Sequence, residues 1–212
     1  MLPSSLSLPL AWLVVSAAAA GPLEARPQAY AVDPAASHVR IHLGRAGLMK
    51  FLGHDHEIEA PVAEGRIEVV DDDPTRSSVT LRFESARLTV VPGREPAKDV
   101  AAVEERMRGP EVLEVTRYPE IAFVSTSVRS QAKDGSSVRI VVAGTLTLRG
   151  RSLPVEVPLE VAREGLGLTA RGGLALSLRD LGVEPPSAAG VVKVANRFRL
   201  EFEIRATAAA QP

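Results

Sequence analysis

Residues 138–161, "VRIVVAGTLTLRGRSLPVEVPLEV", alternate apolar and polar side chains with a period of two on both sides of a short polar break. Val138, Ile140, Val142, Leu146 and Leu148 share one face, and Leu153, Val155, Val157, Leu159 and Val161 repeat it against Glu156 and Glu160. Successive side chains of a strand point to opposite faces, so each run is a strand with one oily side. Gly150-Arg151-Ser152 supply the turn of a hairpin. Pro158 falls on the outward set and lacks an N–H, which predicts an edge, a bulge or a locally unpaired position there.

The same period recurs outward from this hairpin. In "SHVRIHL" Val39, Ile41 and Leu43 oppose His38, Arg40 and His42, and "VTLRF" repeats the pattern with Val79, Leu81 and Phe83. "LTARGGLALSL" alternates around Gly172-Gly173, which predicts a bend or bulge at a barrel corner. In "RFRLEFEIRA" Phe198, Leu200, Phe202 and Ile204 face in, while the Arg and Glu residues between them face out. One segment departs from the period. "PAKDVAAVEERMRGP" spaces Val100, Val103 and Met107 at helical intervals and stops at Gly109-Pro110. A single short helix cannot cover the faces of eight or more antiparallel strands, so the sheet must bury its apolar side against itself. The expected class is all-β with one short helix, as a barrel or a sandwich with an aliphatic interior.

Composition narrows the function. The chain has 212 residues, suited to one domain, with 45% hydrophobic and 24% charged residues and a net charge of -1. No basic field points to nucleic acid, and aromatics at 4% are too few for base-stacking platforms. Cysteine is absent, which removes disulfides, thiolate metal sites and cysteine nucleophiles. G-x-S-x-G, H-E-x-x-H and glycine-rich phosphate loops are also missing, so no catalytic residues are assigned. The first residues run apolar from Leu8 to Ala20 and end in Ala18-Ala19-Ala20, which reads as a signal peptide over 1–20 cut before Gly21. That run is shorter than the roughly 20 residues a spanning helix needs, so no stable membrane anchor is expected after cleavage. A linker over 21–28, a domain over 29–207 and a disordered tail over 208–212 complete the division.

"FLGHDHEIEA", residues 51–60, holds two of the chain's four histidines. On one strand His54, His56, Ile58 and Ala60 share a face, with Asp55, Glu57 and Glu59 opposite. Histidines at i and i+2 can chelate zinc or copper, although three protein ligands are usual for a catalytic zinc and His42 faces outward on its own strand. The alternative is a hydrogen-bonding pair at a barrel mouth.

Several pieces in order, "YAVDPAASHVRI", "VLEVTRYPEIAFVSTSV", "GTLTLRGRSLPVEVPLEV", "LSLRDLGV" and "FRLEFEIRA", resemble the YceI-like proteins. The chain departs from that pattern at Val112-Leu113, where an aromatic pair is usual, and in "LGRAGLMKFLGHDHEIEAP". The resemblance implies a periplasmic or secreted protein with an extended, eight-stranded lipocalin-like β-barrel. Its partner would be an isoprenoid-type lipid, polyprenyl or quinone-like, held without catalysis and with no other cofactor; the oligomeric state stays open, a homodimer being one option. Ile58, Phe83, Phe123, Ile140, Val142, Leu174, Leu176 and Phe202 are then expected to line the channel. His54 and His56 would stand at its mouth, and Arg179 and Asp180 of "LRDLGV" would meet a headgroup or fix the turn. The competing function is a periplasmic metal-binding or redox accessory protein carrying zinc or copper on His54 and His56. Export predicts a mature protein beginning near Gly21, read by N-terminal sequencing of the secreted form; a cytoplasmic protein retaining Met1 would contradict it.

Overall fold

A computed structural model of the chain describes residues 27–46, 55–71, 73–91, 93, 97–134, 137–188 and 192–210. The strands are β1 (Gln28–Val32), β2 (His38–Ala46), β3 (His56–Glu59), β4 (Val62–Val69), β5 (Ser78–Glu84) and β6 (Thr89–Val90). After the helix α1 (Ala97–Arg108) come β7 (Glu120–Asp134), β8 (Ser137–Leu148), β9 (Arg151–Glu164), β10 (Gly167–Ser177), β11 (Ser187–Ala188) and β12 (Val192–Ala208). The strands pair in the order β1-β4-β5-β7-β8-β9-β10-β12, and β12 returns to β1. All of these pairings are antiparallel, so the fold is a closed eight-stranded barrel with one helix. β9, with 14 residues, spans about 45 Å at roughly 3.3 Å per residue, which a tilt near 40° converts to a barrel about 35 Å tall.

Closure depends on one long edge. β12 pairs with β1 at its end, Tyr30 opposite Ala208 and Val32 opposite Ala206. Higher up, the same edge pairs with β2, from Glu203 opposite His38 to Lys193 opposite Ala46. β1 and β2 are therefore two halves of one bent strand, and the corner between them is built from local hydrogen bonds. The Asp33 side chain accepts from the Ala35 and Ala36 N–H groups, an Asx turn. Its own N–H donates to the Arg205 carbonyl at 2.8 Å. Ser37, 3% exposed, donates its hydroxyl to the Arg205 carbonyl and accepts the Arg205 N–H at 3.0 Å. Beyond the corner, β2, β3 and β6 extend the wall upward on one side.

The hairpin at 138–161 forms with every residue paired from Ser137 opposite Ala162 to Leu148 opposite Arg151. Its turn is tighter than the sequence suggests. Arg149 and Gly150 both have positive φ, 51° and 69°, the requirement of the two-residue turn whose twist matches the flanking strands. Arg151 and Ser152 thus belong to β9. Pro158 sits where the ladder between β9 and β10 ends at Leu159, so its missing N–H breaks no bond. Gly172 and Gly173 lie in continuous register with β12 and form no bulge. Their role is close approach: a Cβ on Gly172 would meet the Pro158 carbonyl oxygen at 2.6 Å, and one on Gly173 the Leu200 carbonyl oxygen at 2.7 Å.

α1 ends where Gly109 donates to the Glu105 and Arg106 carbonyls. Val100, Val103 and Met107 pack on the core, so the helix roofs one end of the barrel. On the outside, cross-strand ion pairs hold register. Glu203 lies between Arg171 and Arg205, and these guanidiniums lower its pKa to about 2. Ala208, assigned to the tail from sequence, completes β12, and Ala209 donates its N–H to the Ala29 carbonyl.

The corner gives the first structural prediction. Ser37→Ala leaves the Arg205 N–H without its partner, while the Arg205 carbonyl keeps the Asp33 N–H, and is expected to cost about 1–3 kcal/mol in urea unfolding. A loss under about 0.5 kcal/mol, the range of neutral surface changes, would contradict this role.

Candidate functional site

The inward faces do not meet at the barrel axis. They enclose a lower chamber of about 670 Å³ and an upper chamber of about 410 Å³. Val39, Phe83, Leu146, Leu176 and Leu200 line both, so they form a waist between the two chambers. Native interiors leave few voids larger than a water, whose share of liquid volume is about 30 Å³. Spaces this large are a lumen and not packing defects.

The lower chamber is walled by the inward sets of β8, β9 and β10, including Ile140, Val142, Leu159 and Leu174. Its end is covered by the turn after β4, where Val70 and Pro74 reach the lumen beside Ser77 and Ser78. Arg163 of β9 pairs with Asp71 of that turn at 2.6 Å, and this bond raises the guanidinium pKa above its ordinary value. The same guanidinium lies 5.8 Å from the centre of the Tyr30 ring. The upper chamber is aliphatic through Ile41, Leu43, Val103, Met107, Leu113 and Val183. Its polar border consists of Arg45, His56, Asp99, Arg106 and Ser187. Arg45 pairs with Asp55 at 2.9 Å, while Arg106 pairs with Glu111 at 2.8 Å and donates to the Ser187 carbonyl.

The residues singled out from sequence are distributed as follows. His56, Ile58, Phe83 and Leu176 border the upper chamber; Phe123, Ile140, Val142, Leu174 and Phe202, with Phe83 and Leu176 again, border the lower one. His54 lies outside the described residues. Glu57 points away from the lumen, as alternation requires, and is buried on the outer side against Arg40 at 3.2 Å, while Asp55, just before β3, pairs with Arg45. His42 is on that outer side too, opposite Glu57 in register, so it stands across the sheet from His56. Among the described residues no group of three or more His, Cys, Asp or Glu side chains is placed to hold a metal ion. Arg179 and Asp180 border neither chamber. Arg179 pairs with Glu184 at 2.7 Å, and its N–H donates to the Asn196 side chain, while the Asp180 N–H donates to the Ser177 hydroxyl. These contacts fix the turn between β10 and β12.

Two bordering residues went unnoticed in the sequence although their signal is there. Arg45 continues the inward set Val39, Ile41, Leu43, and Arg163 continues Leu159, Val161. A charge at the last inward step of an apolar strand marks where the lumen meets water. The waist could not be read, because its five residues come from five separate strands.

A family model for the YceI-like domain matches residues 30–206. Among solved structures, the fold is similar to that of BcnA from Burkholderia cenocepacia, at 20% identity and a TM-score of 0.64, covering 83% of this chain and 99% of that one. It is also similar to a polyisoprenoid binding domain from Saccharophagus degradans implicated in plant cell wall breakdown, at 14% identity and a TM-score of 0.61, covering 86% of this chain and 99% of that one. No curated protein matches the sequence. With the family match spanning nearly the whole barrel, the chain belongs to the YceI-like family.

Proposed function

We propose that this protein is an exported binding protein that holds an isoprenoid-type lipid, polyprenyl or quinone-like, along the barrel axis and performs no chemistry on it. The observation that carries this reading is the pair of aliphatic chambers that lie on either side of one waist. A slender apolar chain satisfies such a lumen, since it needs no hydrogen bonds and gains dispersion contacts along its length. A substrate rich in polar groups would leave them unpaired against Leu, Val and Ile, at a cost of several kcal/mol each. The Saccharophagus degradans domain, named for polyisoprenoid binding, shares this fold and supports the choice of ligand class. The signal-like residues 1–20 support export to the periplasm or beyond.

In this reading His56 belongs to the mouth. It borders the upper chamber beside Arg45 and Asp99, where a polar headgroup would leave the aliphatic wall. The metal alternative has less behind it, because the described residues gather no ligand set around His56.

Two outcomes follow. Protein purified without detergent is expected to release an isoprenoid on organic extraction, identified by mass spectrometry; a clean extract from protein that also refuses added polyprenol would end the proposal. His56→Ala is expected to weaken lipid retention by about 1 kcal/mol, roughly fivefold in Kd, while the thermal midpoint holds. If instead the wild type carries one zinc or copper per chain, and His54→Ala/His56→Ala loses it without losing lipid, the metal reading replaces this role for the pair.

A further inference from the structure

Among the described residues β6 has a strand on one side only, its partner being β3. The Val91 N–H points back toward β3 and donates to the Glu57 carbonyl at 2.8 Å. Backbone groups of successive residues face opposite sides of a strand, so those of Val90 and Leu88 face the open edge. Both residues are buried, and their polar groups need partners. The helix supplies them. Glu104 accepts the Val90 N–H at 3.0 Å, and Arg108 donates to the Leu88 and Ala86 carbonyls at 3.2 and 3.1 Å. Glu104 and Arg108 also pair with each other at 3.1 Å, one helical turn apart. Two side chains of α1 thus stand in for the missing strand and cover an edge that would otherwise be open.

We propose that α1 is a latched roof: Glu104 and Arg108 hold it on the β6 edge, and its release from that edge, turning about Gly109, admits a guest to the upper chamber. This rests on the lipid-holding reading above. Among the described residues no backbone hydrogen bond joins α1 to a strand. Its polar ties to the barrel are side-chain bonds from the last turn, those of Glu104 and Arg108 and one from Arg106 to the Ser187 carbonyl. The rest of its hold is apolar, through Val100, Val103 and Met107. All of these contacts can be given up without breaking a strand pair or a bond within the helix, so the roof opens at far less cost than unfolding. Neither Glu104 nor Arg108 borders the chamber. The latch therefore sets how fast a guest passes, and the chamber walls set how tightly it sits.

A permanent cap, which only protects the edge, predicts an edge that opens no more readily than the sheet beside it. Amide hydrogen exchange of the guest-free protein distinguishes the two without reference to any ligand. The latch predicts that the Val90 amide, held by Glu104, exchanges at least about tenfold faster than the Val91 amide, held by the Glu57 carbonyl; equal rates overturn it. Stopped flow with retinol, an isoprenoid alcohol whose fluorescence rises on burial, gives the second readout. Glu104→Ala/Arg108→Ala is expected to raise the association and dissociation rates together, each by about tenfold, and to leave Kd within about twofold. Unchanged rates, or faster release with unchanged uptake, overturn the latch. Should this variant not fold, Glu104→Gln keeps an acceptor for the Val90 N–H while removing the charge pair, and is expected to raise both rates in the same way. A wild type that takes up neither retinol nor added polyprenol ends the lipid reading and the entrance with it, while the exchange rates still decide whether the roof opens.

Discussion

The pairing of Tyr30–Val32 with Ala206–Ala208 closes the sheet, and every other feature of the molecule depends on that closure. An open sheet with one apolar face and a single 12-residue helix would expose most of that face to water. Joined edge to edge, the same sheet turns its apolar face inward and leaves no unpaired edge along the seam. The seam is short, only three residue pairs, and is reinforced by the Asp33 and Ser37 bonds to Arg205. The bend at this corner lets one strand edge, that of β12, be shared by β1 below and β2 above, which lengthens the barrel beyond the reach of β1 alone.

Length gives the lumen its form. Eight strands enclose an interior just wide enough for side chains or one slender guest. Bulky residues at the waist narrow that interior, and below it Ala170 lines the wall while the Phe123 and Phe202 ring tips lie over Gly144 and Gly172. The upper chamber owes its narrower volume to α1, which presses Val103 and Met107 over the opening. Val112 and Leu113 border the same chamber and keep its wall aliphatic. Charged residues appear only where the inward sets run out, as Arg45 and Asp99 at one end and Arg163 and Asp71 at the other.

Much of this was legible in the sequence because period-two alternation specifies a buried face directly. The inward sets of β8, β9 and β12, the helix and its stop at Gly109 all follow from local pattern, and they led to a barrel or a sandwich, between which the family resemblance chose the barrel. The turn at Arg149-Gly150 was misplaced by a residue, since only the φ values distinguish a two-residue turn from a longer one. Gly172-Gly173 read as a bend or a bulge, but the register is continuous and the glycines serve the close approach of neighbouring strands, a contact made between residues far apart in sequence. The two chambers and the waist were beyond a single chain of letters for the same reason: alternation says which side chains point inward, and only the register between strands says which of them meet.

The central claim is that these inward faces stand apart around a guest instead of packing against each other. A crystal structure of the protein purified without detergent tests it most directly. The account predicts elongated density running from the lower chamber through the waist between Leu146 and Leu200 into the upper chamber. Side chains collapsed across the waist, with Phe83, Leu146 and Leu200 filling the axis and no continuous lumen, would contradict it.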